Sequence, residues 1–371
     1  MPPILILTAG FGEGHNAAAR ALAAACDDLH GPGTARLVDL FALSSPRLNE
    51  AARRAYIRVI NRSPRLWSRA YLWMDRSTLL PRTFAWMHRD LRLLAQIVRE
   101  EQPSAICSTY PIYAFLVAKL RREGLIAAPH FNIVTDSITI NSLWWRAGSS
   151  GWFLPNEESA EVMRRAGVPA DRLHVSGFPV TSFFSRHAAE CFPPDLAAGA
   201  FPRVLQLINS GSLHAEETAR LLLAEEDWEI TCAVGRDERL RLALERLAAG
   251  RRKPARILGW TGEIPRLLMT HHAVVSKAGG ATTQEAIAAG CPMIVSQVVP
   301  VHEEGNYELL RRHGVGALAE TPAAVLAALR GAFAARGAGW LRWRAGLAPL
   351  SRPDAARDIA RQLLPVALSL P

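Results

Sequence analysis

The sequence predicts an α/β protein of two doubly wound domains, each built on a parallel sheet. Two series of short apolar runs alternate with helical segments, a pattern typical of parallel sheets covered by helices. A proline-rich stretch with little periodicity, residues 186–202, lies between the two series and is predicted to be a linker. The length of 371 residues also exceeds what one hydrophobic core usually spans.

The first series occupies residues 1–185 and is expected to form one domain. Its strands are predicted from the runs ILILTA (4–9), ARLVDL (35–40), AICSTY (105–110), HFNIVTD (130–136) and GWFLP (151–155). Helices are predicted between them, around residues 15–30, 48–75, 83–101, 111–124 and 157–167. Pro64 is expected to interrupt the second helix, because proline lacks the N–H that continues a helix.

The second series occupies residues 203–352. Its predicted strands are RVLQLI (203–208), EITCAV (229–234), ARILGW (255–260), AVVSKA (273–278) and PMIVSQ (292–297). A last helix, from about Pro353 to Leu364 within residues 353–371, is compatible with packing on either domain. Open α/β sheets bind ligands outside the carboxyl ends of their strands, so two such sheets predict a ligand site in a cleft between them.

Composition narrows the class of protein. The longest apolar runs are shorter than the roughly 18 residues that a spanning helix needs, and no basic segment precedes the first strand. We therefore expect neither a transmembrane helix nor a signal peptide. The cysteines are scattered without a CxxC pair, which favours reduced thiols in the cytoplasm over disulfides or a zinc site: Cys26, Cys107, Cys191, Cys232 and Cys291.

One stretch, residues 53–92, carries ten arginines and two acidic residues and so accounts for nearly the whole net charge of +9. Its aromatic side chains include Trp67 and Trp73. The stretch is compatible with a solvated helix face, an anionic membrane surface or a nucleic acid. Several arginines recur every three or four residues, which predicts one basic helical face: Arg54, Arg58, Arg62, Arg65 and Arg69.

A glycine turn in the second half, SKAGGATTQEAIAAG (276–290), joins a strand to a helix predicted to begin near Thr282. Gly279 and Gly280 allow a ligand close to the backbone, and the N-terminus of the helix favours a phosphate. Lys277 would add a cation, and Glu285 lies within reach of ribose hydroxyls. The alternative is an ordinary strand–helix turn.

Three further loops follow strands of the second half. They are residues 209–212 with Gly211 and Ser212, the loop at Trp260, and VVPVHEEGNYELL (298–310). Each is also compatible with a solvated turn or a helix N-cap. Together they supply these polar or aromatic side chains and glycines at strand ends: Gly211, Ser212, Trp260, His302, Glu303 and Asn306.

The loop GFGEGHNAAARAL (10–22) fits neither a dinucleotide fingerprint nor a Walker loop, although Asp39 at the next strand end keeps a dehydrogenase alternative open. His15 opens the following helix, where the dipole is expected to lower the pKa of its imidazole. A neutral imidazole can act as a general base. The alternative for His15 is a structural hydrogen bond, and Asp136 is the rival base or the group that orients His15.

The two glycine loops, with VTD (134–136) and GWFLPNEESAEVMRRAGVPADRLHVSGFPV (151–180), resemble the diacylglycerol glycosyltransferases. This family includes plant-type monogalactosyldiacylglycerol synthases and bacterial processive glucosyltransferases, relatives of the transferase that makes lipid II. The resemblance implies a GT-B fold, two Rossmann-like domains facing a cleft. It also implies an inverting enzyme without a tightly bound metal, and the chain has no Asp-x-Asp pair.

The resemblance also implies roles for the second-half residues. Gly279, Gly280 and Thr282 would hold the diphosphate of a UDP-sugar and Glu285 its ribose, while Trp260 would lie near the uracil. His302 and Glu303 would contact the sugar hydroxyls. His302 stands where the family usually has Gln, so the hexose, galactose or glucose, stays open. Tyr110 stands where many relatives have His, which leaves the acceptor contacts there open.

The first domain would bind the acceptor. Gly12 and Gly14 would clear space for it, and Tyr110 and Pro111 would line its site. The basic stretch would then bind an anionic membrane and not a nucleic acid, with Arg54, Arg58, Arg62, Trp67, Arg69 and Trp73 as contacts.

We therefore expect an enzyme that moves a hexose from UDP-galactose or UDP-glucose to a membrane lipid hydroxyl. Diacylglycerol is the favoured acceptor, and the enzyme is expected to lie on the inner face of a membrane. One alternative is transfer to another lipid or to a soluble acceptor. The other is a non-catalytic protein that binds nucleotide-sugars or nucleic acid.

Overall fold

The computed structural model describes residues 2–209, 212–253, 255–301 and 303–368. It contains two parallel sheets of six strands each, so the predicted fold class is confirmed. The chain divides into two compact units. Unit 1 comprises Met1–Ser182, Pro300–Gly305 and Arg352–Pro371, and unit 2 comprises Phe183–Val299 and Asn306–Ser351.

The sheet of unit 1 contains the first six strands in the order β2-β1-β3-β4-β5-β6. Its first strand therefore lies inside the sheet, between the second and the third. The strands are β1 (Ile4–Thr8), β2 (Ala35–Asp39), β3 (Ala105–Ser108), β4 (His130–Ile133), β5 (Gly151–Leu154) and β6 (Leu173–Val175).

Ten α-helices belong wholly to unit 1, and Pro64 separates the third from the fourth, as predicted. The helices are α1 (Glu13–His30), α2 (Leu40–Ser44), α3 (Pro46–Arg62), α4 (Pro64–Arg76), α5 (Leu80–Thr83), α6 (His88–Glu101), α7 (Ile112–Arg122), α8 (Leu143–Arg146), α9 (Glu157–Arg165) and the last helix of the chain, α17 (Ala355–Leu368).

The last helix packs within unit 1. Ile359 and Leu363 of α17 are fully buried in one apolar cluster with Ile4, Ile6 and Leu22 of β1 and α1. A second cluster, on the other face of the sheet, joins β1 and β3 to α6 and α7. Helices thus cover both faces, which is why the strands read as continuous apolar runs.

Unit 2 repeats this plan with the strand order β12-β11-β10-β7-β8-β9. Its first strand again lies inside the sheet, next to β10. The strands are β7 (Arg203–Leu207), β8 (Glu229–Ala233), β9 (Ala255–Leu258), β10 (Ala273–Lys277), β11 (Met293–Gln297) and β12 (Ala317–Leu318).

The remaining helices accompany the second sheet, and the longest of them is broken at Ala334–Gly337. They are α10 (Phe183–Arg186), α11 (Ala215–Leu223), α12 (Glu238–Ala248), α13 (Ile264–Thr270), α14 (Gly280–Ala288), α15 (Glu304–Arg312) and α16 (Pro322–Leu347). No helix of the described ranges combines the length and apolar character that crossing a bilayer requires.

The structure differs from the sequence-based expectations at several boundaries. Strands β6 and β12 were not predicted, because runs of three and two residues are too short to show a period. Helix α14 begins at Gly280 and not near Thr282, since Gly279 is extended and serves as the N-cap. The predicted linker, residues 186–202, is part of unit 2, and the carbonyl of its Pro194 lies 2.8 Å from His272 Nε2.

A buried histidine of unit 2 makes stability depend on pH. His271 Nδ1 lies 2.7 Å from the carbonyl of Leu267, and Nε2 lies 2.9 Å from Thr231 Oγ1. The carbonyl can only accept, so Nδ1 donates to it, and in the neutral ring Nε2 then accepts from the hydroxyl of Thr231. Burial lowers the pKa of His271 to about 4, so the folded ring is neutral at neutral pH.

We expect this histidine to destabilise the protein in acid. An unfolded histidine titrates near 6.5, so between pH 6.5 and about 4 the unfolded chain binds a proton that the folded chain does not. Over that range His271 should remove about 1.4 kcal/mol of unfolding free energy per pH unit as pH falls, an effect absent above pH 6.5. Urea titrations of His271→Gln should show a shallower pH slope, while His88→Gln, at an exposed position, keeps the original slope. Equal slopes for His271→Gln and the unmodified chain would contradict the assignment.

Candidate functional site

The carboxyl ends of β1 and β3 form the switch point of unit 1. From β1 the chain continues to β2 on one side of the sheet, and from β3 it continues to β4 on the other side. The loop after β1 and the loop after β3 therefore diverge. Thr109 Oγ1 donates to Thr8 Oγ1 at 3.1 Å across this point, and Phe11 stacks on Tyr110 with ring centroids 5.8 Å apart. Divergent loops of this kind are where α/β sheets bind ligands.

Gly12 sets the direction in which helix α1 starts. It is the N-cap residue, and its φ of 116° lies in a region that residues with a Cβ rarely adopt. No atom lies within 4 Å of the place where a Cβ would stand, so the backbone conformation and not crowding requires glycine. Gly14 and His15 follow in the first turn of α1, near the carboxyl end of β1.

His15 contacts a residue that follows the end of β4. Its Nδ1 lies 2.9 Å from Thr135 Oγ1, a contact between residues 120 positions apart in the chain. The ring also meets Tyr110 edge-on, with centroids 5.1 Å apart. These contacts orient the half-buried imidazole.

Asp136 lies directly after Thr135, beyond the end of β4, and is half-buried. The indole Nε1 of Trp144 donates to Asp136 Oδ2 at 2.7 Å, and the Trp144 ring lies 6.3 Å from the His15 ring. His15 and Asp136, the two candidate bases, are thus brought to one place. The sequence assigns no role to Thr135, which lies in the run VTD (134–136), and does not single out Trp144, which stands in the conspicuous run SLWWR.

Tyr110 and its neighbours form an aromatic wall beside His15, defined here as Phe11, Phe41, Tyr56, Trp67, Tyr71, Tyr110 and Tyr113, with successive centroids 4.8–6.3 Å apart. Burial, and Asp136 in second place, raise the pKa of Tyr110 above its usual range, so its hydroxyl stays protonated at neutral pH. Pro111 is the N-cap of α7. Asp39, the acid of the dehydrogenase alternative, accepts from Ala42 N at 3.0 Å and caps α2.

Helices α3 and α4 carry the predicted basic face. Arg54 is paired with Glu50 at 2.7 Å. Trp67 points inward, and its ring centroid lies 4.9 Å from that of Tyr56. Trp73 and Trp86 are 61% and 78% exposed. The arginines of the predicted face are all exposed: Arg54, Arg58, Arg62, Arg65 and Arg69.

In unit 2 the corresponding switch point lies between β7 and β10. The loop after β10 turns at Ala278 and Gly279 into helix α14. Gly279 is the N-cap and offers no side chain to the first N–H groups, and the first turn contains no acidic residue. The start of α14, which includes Gly280 and Thr282, is therefore suited to an anion.

Two buried polar atoms border this point without a partner among the described residues. They are Ser212 Oγ, in the loop after β7, and Asn306 Oδ1. The other amide atom of Asn306, Nδ2, donates to the carbonyl of Ala278 at 2.9 Å and so holds the loop before α14. Buried polar atoms are nearly always paired, so both atoms are suited to contact a polar ligand.

The remaining predicted residues are placed as follows. Lys277 ends β10 beside a bulge, and Glu285 lies on α14; both are half-buried. Trp260, after the edge strand β9, is 75% exposed. Glu303 is buried in the segment Pro300–Gly305, which belongs to unit 1. Gly211 and His302 lie outside the described residues.

Residues 15–180 match the family model of monogalactosyldiacylglycerol (MGDG) synthase. The chain is 24% identical over 307 residues to the processive diacylglycerol beta-glucosyltransferase of Bacillus licheniformis, an alignment that spans 82% of this chain and 79% of that protein.

Two solved structures share the architecture. MurG of Acinetobacter baumannii superposes with a TM-score of 0.60 at 13% identity, over 98% of this chain and 100% of that one. The glycosyltransferase SnogD of Streptomyces nogalater has a TM-score of 0.57 at 17% identity, over 99% and 100% of the two chains. At these identities the likeness shows the fold, which is the GT-B architecture.

Proposed function

We propose that this chain, a glycosyltransferase-family enzyme whose residues 15–180 belong to the MGDG synthase family, transfers a hexose from a UDP-sugar to diacylglycerol. The hexose is galactose or glucose, and the configuration at its anomeric carbon is inverted. The observation that carries the proposal is the pairing of His15 with Thr135 beside Asp136, inside the region that matches the family. Unit 1 is assigned the acceptor and the base, and unit 2 the donor.

The start of α14 supports the assignment of the donor to unit 2. A UDP leaving group carries negative charge on its diphosphate, and uncapped N–H groups at a helix N-terminus stabilise such charge. Lys277, at the end of the adjoining strand, adds a cation. Ser212 and Asn306 offer the polar contacts described above, and Glu285 is suited to the ribose hydroxyls.

In the proposed reaction the acceptor hydroxyl attacks the anomeric carbon of the donor. A bond forms between that oxygen and the carbon, the bond from the carbon to the UDP oxygen breaks, and the hydroxyl proton passes to His15. The contact with Thr135 engages the imidazole at Nδ1, and in this proposal the proton passes to the other ring nitrogen, Nε2. Asp136, held by Trp144, either supports the charged imidazole or is itself the base.

The aromatic wall supports a lipid acceptor. Tyr71 and Tyr113 are buried, but the other five rings are half-buried and offer apolar surface near His15, while the protonated Tyr110 hydroxyl adds a polar group near Asp136. A glycerol hydroxyl flanked by acyl chains has this combination of one polar and several apolar contacts. The wall is continuous with α3 and α4, which supply Tyr56, Trp67 and Tyr71 from their inward faces.

The outward faces of α3 and α4 support docking on an anionic membrane. Arg58, Arg62, Arg65 and Arg69 are exposed and form no ion pair with a carboxylate of the described ranges. Exposed apolar side chains lie on the same helices, namely Leu48 (71%), Leu66 (58%) and Trp73 (61%), and two more follow α4 in the chain, Leu79 (65%) and Trp86 (78%). Arginine with exposed tryptophan and leucine is typical of surfaces that lie at the headgroup level of a bilayer.

A donor screen tests the proposed activity. Purified protein is incubated with UDP-glucose or UDP-galactose and with diacylglycerol vesicles that contain or lack phosphatidylglycerol. We expect a β-linked glycolipid from one donor, with faster turnover on the anionic vesicles, and NMR of the product gives the configuration. No glycolipid with either donor would reject the lipid acceptor, and UDP release without lipid product would favour a soluble one.

Two substitutions should separate the roles of the units. His15→Ala should lower kcat by roughly a hundredfold or more, because acid–base catalysis contributes at least that factor, while the Kd of UDP stays unchanged. Glu285→Ala should weaken UDP binding by about tenfold, as expected for a lost charged hydrogen bond. Calorimetry gives the Kd, and His88→Ala, at an exposed position of unit 1, is the control. A fully active His15→Ala would make His15 structural and Asp136 the base.

Vesicle cosedimentation tests the basic face. Removing two arginines near an anionic surface costs about 2 kcal/mol, so Arg58→Gln/Arg62→Gln should weaken binding to phosphatidylglycerol vesicles by roughly 30-fold. Arg246→Gln/Arg342→Gln makes the same charge change on exposed residues of unit 2 and should leave binding intact. Equal losses in both double variants would show that net charge, and not this face, determines binding.

A further inference from the structure

Unit 1 contains a second pocket at the amino ends of strands β4 and β5. It has a volume of about 530 Å³ and is lined by Arg121, His130, Ser149, Ser150 and Arg172, among others, with no carboxylate in the lining. His130 is the first residue of β4, whereas Asp136 follows the last. This pocket therefore lies at the amino ends of the strands, and His15 lies at their carboxyl ends. The proposed transferase does not use it.

Two arginines face this pocket without an acidic partner. Arg121, in the last turn of α7, donates from Nη1 only to Ser150 Oγ, at 3.4 Å, among the described residues. Arg172, just before β6, forms no ion pair within the described part of the chain. By contrast Arg165 on the neighbouring α9 is paired with Glu161 at 2.8 Å. Both side chains are exposed, so their guanidinium groups place positive charge beside the cavity, which favours an anion there.

The floor of the pocket is a hydrogen-bonded network around a neutral histidine. His130 is 2% exposed, and its Nε2 lies 2.8 Å from Ser108 Oγ while Nδ1 lies 2.9 Å from Ser149 Oγ. Burial, with Arg121 in second place, lowers the pKa of His130 to about 3. The contact at Nδ1 holds Ser149, and the backbone N–H of His130 donates to Ser150 Oγ at 3.2 Å and so holds Ser150.

The segment that lines the pocket is held at both ends. Residues 147–150 follow α8, whose Trp144 donates to Asp136. Asn132 Nδ2 lies 3.2 Å from the carbonyl of Trp144 and 2.7 Å from Ser149 Oγ, so it ties the two ends together. The pocket is therefore formed before any ligand arrives, which lowers the ordering cost of binding.

We propose that this pocket binds a phosphate-bearing anion between Arg121 and Arg172. Guanidinium groups bind phosphate oxygens through paired N–H donors, and the Ser150 hydroxyl is positioned to donate a further bond. The volume exceeds that of a bare phosphate, so a phosphate ester fits, from a small soluble metabolite or from a lipid headgroup. The site stands on its own geometry and does not require the proposed transfer reaction.

Thermal unfolding of the full chain tests the site, with inorganic phosphate and glycerol 3-phosphate as probes at constant ionic strength. Saturating UDP is present so that the donor site is occupied. We expect a saturable rise in Tm with both probes, and an affinity at least roughly tenfold lower in Arg121→Gln/Arg172→Gln. Arg165→Gln, which alters an arginine outside the pocket, should keep the rise. No saturable rise, or the same rise in the double variant, would overturn the proposal.

Two further arms keep the outcomes distinct. Arg172→Gln alone removes a side chain that makes no hydrogen bond to a described residue, so this variant should fold even if the double variant does not. It should still weaken the affinity that the rise in Tm reports. The Tm rise with UDP alone is measured first, and its absence counts against the proposed function without altering the comparison of variants. Cosedimentation with phosphatidic acid vesicles then separates the sources, because a headgroup ligand predicts weaker binding by Arg172→Gln and a soluble ligand predicts no change.

Discussion

In both sheets the first strand lies inside the sheet, and this strand order determines where the residues of the candidate sites lie. β1 lies between β2 and β3, and β7 lies between β8 and β10, so the chain reverses its direction of growth once in each sheet. The loops on the two sides of such a reversal diverge and leave an opening at the carboxyl ends of the strands. His15 and the start of α14 lie beside these two openings, and it is there that the acceptor and donor sites are proposed.

The sequence predicted the fold well because the strands of a parallel sheet are buried on both faces. All ten predicted strands are present, and Pro64 ends a helix where its missing N–H requires. The failures share a physical cause, namely weak local signal. β12 has only two residues, and the start of α14 depends on the backbone angles of Gly279, which the glycine type permits but does not specify.

The site was predictable in its residue types and not in its contacts. A histidine after a glycine loop and an aspartate at a strand end can be found by reading along the chain. The bond from Thr135 to His15 joins residues 120 positions apart, and Trp144 reaches Asp136 from a short helix that has no periodicity to mark it. Orienting partners are therefore set by tertiary packing, and one sequence without its fold does not reveal them.

Helices α3 and α4 show how one periodic stretch serves two surfaces. Residues two apart on a helix point about 200° apart, so Arg65 and Arg69 face outward where Trp67 and Tyr71 face inward. Trp67 packs on Tyr56, which meets Phe11 of the loop that leads to His15. These arginines and these aromatic residues therefore lie on two different faces of the same helices, although the sequence pattern reads as one face. The proposed membrane contact and the aromatic wall are consequently carried by the same two helices, so a lipid drawn from the bilayer would meet the wall without crossing a separate element.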